Sequence, residues 1–163
     1  VKDGEEIHGF KVIHLPGHTM EEVGYLDTES GIFFGGDLIQ FEGPPGSAYL
    51  SFMLIDSSVR CGLESVERVI AMASAGQITG FVPSHGPIEI HPERIASRLT
   101  ECRRQYLDLL DEVVDYPAAR IREYLNRHSS DEYFWGKSWL ERRSGACALW
   151  RAANIERENC FAL

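Results

Sequence analysis

The segment that most constrains the fold is HLPGHTMEEVGYLDTESGIFFGGDLI, residues 14–39. Two apolar runs, VGYLD and GIFFGGD, lie on either side of TESG, in which Gly31 can adopt the positive φ of a tight turn. This pattern predicts a β-hairpin. His18 comes before the hairpin, directly after Pro-Gly, and Asp37 comes after it, directly after Gly-Gly. Two polar side chains therefore flank one pair of strands, and each follows a glycine.

The rest of the chain combines helix and strand signals. Apolar residues at helical spacing predict a helix over residues 59–73, with Gly76 as a suitable stop. The short apolar run ITGFVP predicts a buried strand. A long amphipathic helix is expected from Pro92 to the Asp-Tyr-Pro of residues 115–117. The run FEGPPGSAYL, residues 41–50, is rich in glycine and proline and predicts a loop.

This order of elements predicts a mixed α/β (α+β) fold whose sheet needs cover on both faces. We expect a domain over residues 1–115 followed by a helical extension over residues 116–163. The extension is expected to hold one helix over residues 118–127 and another over residues 137–158. The chain has too few predicted strands to cover the second face of its sheet by itself.

Composition argues against several classes of function. The net charge of −9 argues against nucleic acid as a partner, because phosphate binding needs a basic surface. No apolar run approaches the ~20 residues of a membrane span, so no membrane partner is expected. The four cysteines are scattered, which favours reduced thiols in a cytoplasmic protein over a disulfide scaffold. Because the sequence does not begin with Met, we expect the natural chain to start earlier.

Three polar residues share one local design. His18, Asp37 and His85 each follow an apolar run and sit in a turn that contains glycine: LPGHT, FFGGDL and VPSHGP. Strand ends of one sheet can meet at a single edge, and two imidazoles with a carboxylate suit zinc, iron or manganese. Ordinary turn chemistry is the alternative for each residue taken singly. The residues by themselves leave both interpretations open.

The ordered set of motifs resembles the metallo-β-lactamase superfamily. The matching stretches are H-x-P-G-H-T at residues 14–19, G-D at residues 36–37 and P-x-H-G-P at residues 83–87. The resemblance covers roughly residues 5–115 and implies half, the carboxyl-terminal half, of a four-layer αββα sandwich, followed by the helical extension. His14 fits the pattern but is not usually a ligand in that family.

The resemblance also implies a site and a chemistry. His18 would complete a first metal site, Asp37 would be catalytic and bridge two metals, and His85 would bind the second metal. Zn²⁺ is the expected cofactor, with iron and manganese as alternatives. The implied activity is that of a hydrolase in which metal-bound hydroxide attacks a small-molecule ester, thioester, lactone or phosphodiester.

One family motif is absent from the sequence. H-x-H-x-D-H, which supplies the remaining ligands in the first half of the family fold, has no counterpart, and neither His8 nor His91 has the spacing to replace it. Glu21 and Glu22, which follow the first motif, are interpreted as turn surface, with the mouth of a substrate pocket as the alternative.

Three explanations fit the missing motif, in this order of preference. The sequence is the carboxyl-terminal part of a longer protein; or it is a short product completed by another chain, such as a homodimer partner; or it is a relative that no longer does catalysis. In the last case it would be a non-catalytic half-sandwich that serves as a binding or oligomerisation module with vestigial metal residues. A lone half-sandwich would expose one apolar sheet face, so we expect a partner to cover that face.

Overall fold

The computed structural model describes residues 1–41, 48–51 and 58–114. In chain order the elements are β1 (Glu6–Ile7), β2 (Phe10–His14), β3 (Val23–Asp27), β4 (Ile32–Phe34), β5 (Ile39–Gln40), β6 (Tyr49–Leu50), α1 (Val59–Ser74), β7 (Gly80–Val82) and α2 (Pro92–Val114). The expected mixed α+β fold is confirmed. The predicted helical extension, residues 116–163, and the predicted helix end at residues 115–117 lie outside the described residues.

The main sheet has five strands in the order β1-β2-β3-β4-β7. The predicted hairpin is confirmed: β3 pairs with β4 in antiparallel fashion, with Tyr25 opposite Phe34, and Gly31 in the turn has φ +75°. Strand β7 joins β4 in parallel, so the chain must cross over between them, and α1 lies in that crossover. This pairing sets the positions of the turns that carry His18, Asp37 and His85.

One face of the sheet is packed under the two helices. Leu26 and Phe33 are buried there, and the Phe33 ring meets the Phe81 ring edge-on at a centroid distance of 5.4 Å. The helices add a stripe of buried residues to the same core, which comprises Val59, Leu63, Val66, Val69 and Ala73 from α1 and Ile95, Leu99, Cys102 and Tyr106 from α2. The apolar positions that predicted the helices are therefore the positions that cover the sheet.

The starts and stops of the helices follow local chemistry. The Ser58 side chain accepts a hydrogen bond from the Cys61 amide and caps α1, and Gly76 follows the helix with φ +72°. Pro92 opens α2, as the sequence predicted. Neither helix in the described part of the chain combines the length and apolar character needed to cross a membrane.

The prediction of a loop over all of residues 41–50 is wrong at its carboxyl end. Tyr49 and Leu50 form β6, which pairs with β5 in a second, two-stranded sheet. The Tyr106 hydroxyl accepts from the Leu50 amide and donates to the Leu50 carbonyl, at 3.3 and 3.0 Å. A strand of two residues has no readable alternation, and its partner on α2 is distant in sequence.

A buried ion pair fixes the segment between β7 and α2. Glu89 pairs through its backbone with Phe81, and its carboxylate accepts from Arg98 at 2.6 Å and from the His91 amide at 3.1 Å. The Arg98 guanidinium also lies over the Phe41 ring, 4.6 Å from its centroid. Burial alone would raise the pKa of Glu89, but the bonds from Arg98 and His91 hold this pKa below its ordinary value of 4.5.

Because the folded-state pKa of Glu89 is depressed, its stabilising effect is present above about pH 4.5 and is lost as the pH falls through the lower folded pKa. We expect Glu89→Gln to lower the free energy of unfolding at pH 7, and to differ less from wild type in acid. Urea denaturation between pH 7 and pH 3 measures this. Glu64→Gln, at an exposed position of α1, is the matched control, and equal acid responses of the two variants would contradict this role.

Candidate metal centre

The sheet topology brings the three predicted ligands to one edge. His18 precedes β3, and Asp37 follows β4, which runs antiparallel to β3. His85 follows β7, which runs parallel to β4. The start of β3 and the ends of β4 and β7 therefore lie at the same edge of the sheet. This is the arrangement that the sequence predicted.

Asp37 and His85 are in direct proximity. His85 Nε2 lies 3.2 Å from Asp37 Oδ1. This contact lacks hydrogen-bond alignment, and Oδ1 is buried without a hydrogen-bond partner among the described residues. Two backbone bonds hold the loops together: Gly35 donates to the Val82 carbonyl and Ser84 donates to the Gly36 carbonyl, both at 2.9 Å. These backbone bonds place the buried carboxylate oxygen of Asp37 beside the exposed imidazole of His85.

His18 is oriented by the second sheet. Its Nδ1 lies 3.1 Å from the Ser51 carbonyl oxygen. Since a carbonyl oxygen only accepts, Nδ1 carries the proton and the lone pair of the neutral ring is on Nε2. The Ser51 amide in turn donates to the Leu38 carbonyl at 2.9 Å. The His18 ring is therefore tied to the segment that carries Asp37, with the ring tautomer that metal-binding histidines commonly have.

Gly17 is required by the approach of α1. A Cβ atom there would lie 2.6 Å from the Gly62 Cα and 2.8 Å from the Leu38 Cδ1. The same loop accepts two bonds from the α1 region, from the Ser58 amide to the Gly17 carbonyl and from the Ser65 hydroxyl to the Pro16 carbonyl, both at 2.8 Å. The Pro-Gly of the first motif thus gives the His18 loop its contact with α1.

The Gly-Gly before Asp37 has two different reasons. A Cβ atom on Gly35 would collide with the Phe81 ring, so this glycine lets the core pack beneath the loop. Gly36 has φ +65°, a left-handed conformation that favours glycine, and a Cβ atom there would collide with Glu22 Oε1. The doublet therefore fits the loop between a core ring and a carboxylate.

The position of Glu22 differs from the one predicted from the sequence. It is half-buried beneath the Asp37 loop, where its Oε1 accepts from the amides of Asp37 and Leu38 at 2.7 and 2.8 Å. Burial raises the pKa of Glu22, against the lowering effect of the two amide bonds. The preferred interpretation of Glu22 as turn surface is wrong, while Glu21 is indeed exposed. A glutamate gives no local signal for a contact 15 residues away.

The described residues do not bring all three predicted ligands to one position. They contain no group of three or more His, Cys, Asp or Glu side chains arranged to hold a metal ion. Asp37 and His85 are brought into contact, and His18 is linked to them through backbone groups rather than through a shared position. The assignment of all three as ligands stays a prediction.

Comparison with known proteins places this geometry in a fold. No protein-family model matches the sequence, and no match was found among curated proteins. Solved structures do match. A metallo-β-lactamase family protein from Thermus thermophilus, TTHA1429, is similar with a TM-score of 0.58 and 17% identity, over 98% of this chain and 49% of that one. The chain has a metallo-β-lactamase-type fold.

Two further structures are similar more weakly. An archaeal metallo-β-lactamase superfamily protein, ST1585 from Sulfolobus tokodaii, gives a TM-score of 0.49 at 16% identity over 100% of this chain and 51% of that one. TTHA1623, crystallised in a di-iron-bound form, gives a TM-score of 0.45 at 27% identity, over 55% of this chain and 41% of that one. The fold assignment depends on the first structure alone. The chain spans between 41% and 51% of the length of these proteins.

The Gly17 contact gives a stability prediction. We expect Gly17→Ala to lower the free energy of unfolding by about 1–3 kcal/mol, because the new methyl group meets the α1 backbone rather than a flexible side chain. Gly80→Ala is the control, since a Cβ atom at that buried position meets nothing closer than 3.7 Å. Urea denaturation measures both, and equal stabilities of the two variants would contradict the close approach.

Proposed function

We propose that this chain is part of a metal-dependent hydrolase of the metallo-β-lactamase type. The observation that carries the proposal is the buried Asp37 Oδ1, which has no hydrogen-bond partner among the described residues and lies 3.2 Å from His85 Nε2. Such an oxygen is costly to bury unless something outside the described residues satisfies it. A cation at this edge of the sheet would do so.

The donor types fit a borderline cation. Asp37 and His85, with His18 turned by Ser51, would hold the metal, most simply Zn²⁺, with iron or manganese as alternatives. The bound metal would supply a water of lowered pKa and polarise the carbonyl or phosphoryl group of the substrate. In that reaction Asp37 would fix the metal position, while the Ser51 carbonyl would keep His18 in its tautomer. Small-molecule esters, thioesters, lactones and phosphodiesters are the proposed substrate class, in the cytoplasm.

The remaining ligands would come from outside the described residues. The chain spans 49% of the similar Thermus protein, and its sequence lacks an H-x-H-x-D-H stretch. We propose that a first half of the same fold, or a second copy of this chain, completes the site. The face of the sheet opposite the helices supports this, since Tyr25, Ile32 and Phe34 are 37–40% exposed there.

Metal analysis tests the proposed site. We expect the purified chain to retain metal, near two ions per chain if a partner completes the site. Asp37→Ala should weaken binding of Zn²⁺ by at least about tenfold and reduce hydrolysis of generic esters or phosphodiesters to the uncatalysed rate. Elemental analysis and calorimetric titration measure the binding. Glu29→Ala, on the exposed hairpin turn, is the control.

Equal metal content and equally slow hydrolysis in wild type and Asp37→Ala would refute the proposal that this chain is part of a metal-dependent hydrolase. The second candidate would then stand, a non-catalytic half-sandwich used for binding or oligomerisation. The observation in its favour is that the described residues hold no group of three potential ligands in one place.

The exposed sheet face gives a prediction about mass. We expect the chain purified by itself to form a homodimer, and Phe34→Lys to shift it to the monomer, because a charge placed in an apolar contact must be desolvated. Leu107→Lys is a matched control, since Leu107 is 38% exposed on α2 and Phe34 is 40% exposed. Sedimentation velocity at equal concentrations measures the masses. Identical masses for wild type and both variants would exclude this face as the contact.

A further inference from the structure

We propose that Glu22 is a positioning residue of this centre. Its carboxylate binds the backbone amides of Asp37 and Leu38, and Leu38 is connected through Ser51 to His18. The inference rests on the proposed metal site and adds to it a residue that none of the three motifs contains. Glu22 lies four residues after His18, at the end of the loop that leads into β3.

The first step is the bond pattern of one carboxylate oxygen. Glu22 Oε1 accepts from two consecutive amides, those of Asp37 at 2.7 Å and Leu38 at 2.8 Å. Hydrogen bonds from backbone amides to a carboxylate are shorter and stronger than neutral ones. Two such bonds to neighbouring peptide units fix both the position and the direction of the chain at Asp37. The side chain of Asp37 must then leave the backbone at a fixed place.

The second step is the room made for this carboxylate. Gly36 adopts φ +65°, and a Cβ atom there would collide with Glu22 Oε1. The Leu15 amide donates to the Glu22 carbonyl at 2.8 Å, which holds Glu22 itself in register with the end of β2. The loop and the carboxylate are therefore fitted to each other from both sides, unlike the exposed neighbour Glu21.

The third step connects Glu22 to the other predicted ligand. Leu38, whose amide donates to Glu22, accepts at its carbonyl from the Ser51 amide at 2.9 Å. The Ser51 carbonyl lies 3.1 Å from His18 Nδ1. One continuous path of hydrogen bonds thus runs from Glu22 through Leu38 and Ser51 to His18, while a second bond reaches Asp37 directly. Residues that orient metal ligands by hydrogen bonding raise metal affinity, and their loss typically weakens binding by about 10–100-fold.

The two carboxylate oxygens of Glu22 have different surroundings. Glu22 Oε2 is buried and has no hydrogen-bond partner among the described residues. The two bonds from the Asp37 and Leu38 amides to Oε1 form a clamp on the Asp37 loop. A glutamine should preserve this clamp, because its carbonyl oxygen can accept hydrogen bonds from the same two amides.

The experiment compares Glu22→Ala, Glu22→Gln and the control Glu21→Ala in the 163-residue chain. Amide hydrogen exchange at Asp37 and Leu38 reports the clamp without any metal. Calorimetric titration with Zn²⁺, and the visible spectrum of added Co²⁺, report the site. Exchange at Leu26 and Phe33, in the core of the sheet, shows that each variant is folded.

If Glu22 positions the centre, Glu22→Ala exchanges at Asp37 and Leu38 about tenfold faster or more, with the sheet core unchanged. Its Zn²⁺ affinity falls by about 10–100-fold, and the Co²⁺ spectrum changes. Glu22→Gln stays within about threefold of wild type in affinity, because its carbonyl oxygen replaces Oε1. Glu21→Ala behaves as wild type.

Four results would overturn the inference in whole or in part. Unchanged exchange at Asp37 and Leu38 in Glu22→Ala would show that there is no clamp. Faster exchange with unaltered Zn²⁺ affinity would reduce Glu22 to a structural role and leave the proposed metal site standing. Glu22→Gln as weak as Glu22→Ala would assign the effect to charge rather than to the bonds of Oε1. A wild-type chain that binds neither ion would refute the proposed function and the metal role of Glu22 together, while exchange would still decide the clamp.

Discussion

The parallel pairing of β4 with β7 is the interaction on which the candidate centre depends. It places the turns after the two strands side by side, and bonds between Gly35 and Val82 and between Ser84 and Gly36 extend the pairing beyond the strands. The backbone thereby places Asp37 and His85 side by side, and His85 Nε2 lies 3.2 Å from Asp37 Oδ1. Because parallel strands need a crossover, the same constraint also requires α1, which packs against the loop that carries His18.

Close approach of backbones explains why the motifs contain glycine. Gly17 admits the α1 backbone, Gly35 admits the Phe81 ring and Gly36 admits the Glu22 carboxylate. They let a small sheet, a helix and a polar side chain converge on one edge, where protein packing is dense and one methyl group already matters. The motifs that predict the metal site are therefore also packing motifs.

The fold is that of half a larger unit. The chain spans 49% of the similar Thermus protein, and one face of its sheet lies under α1 and α2 while the other presents Tyr25, Ile32 and Phe34. Under the proposed function, a second layer would cover this face and supply the remaining ligands.

The sequence by itself determined the hairpin, both described helices and the turns that hold His18, Asp37 and His85, because these depend on local periodicity, caps and turn residues. It did not determine β6, whose Leu50 is bonded to Tyr106 from α2, or the place of Glu22 beneath the Asp37 loop. Those contacts join residues far apart in the chain, and no local pattern encodes them. Only the tertiary structure decided that Asp37 and His85 come into contact while His18 is reached through Ser51.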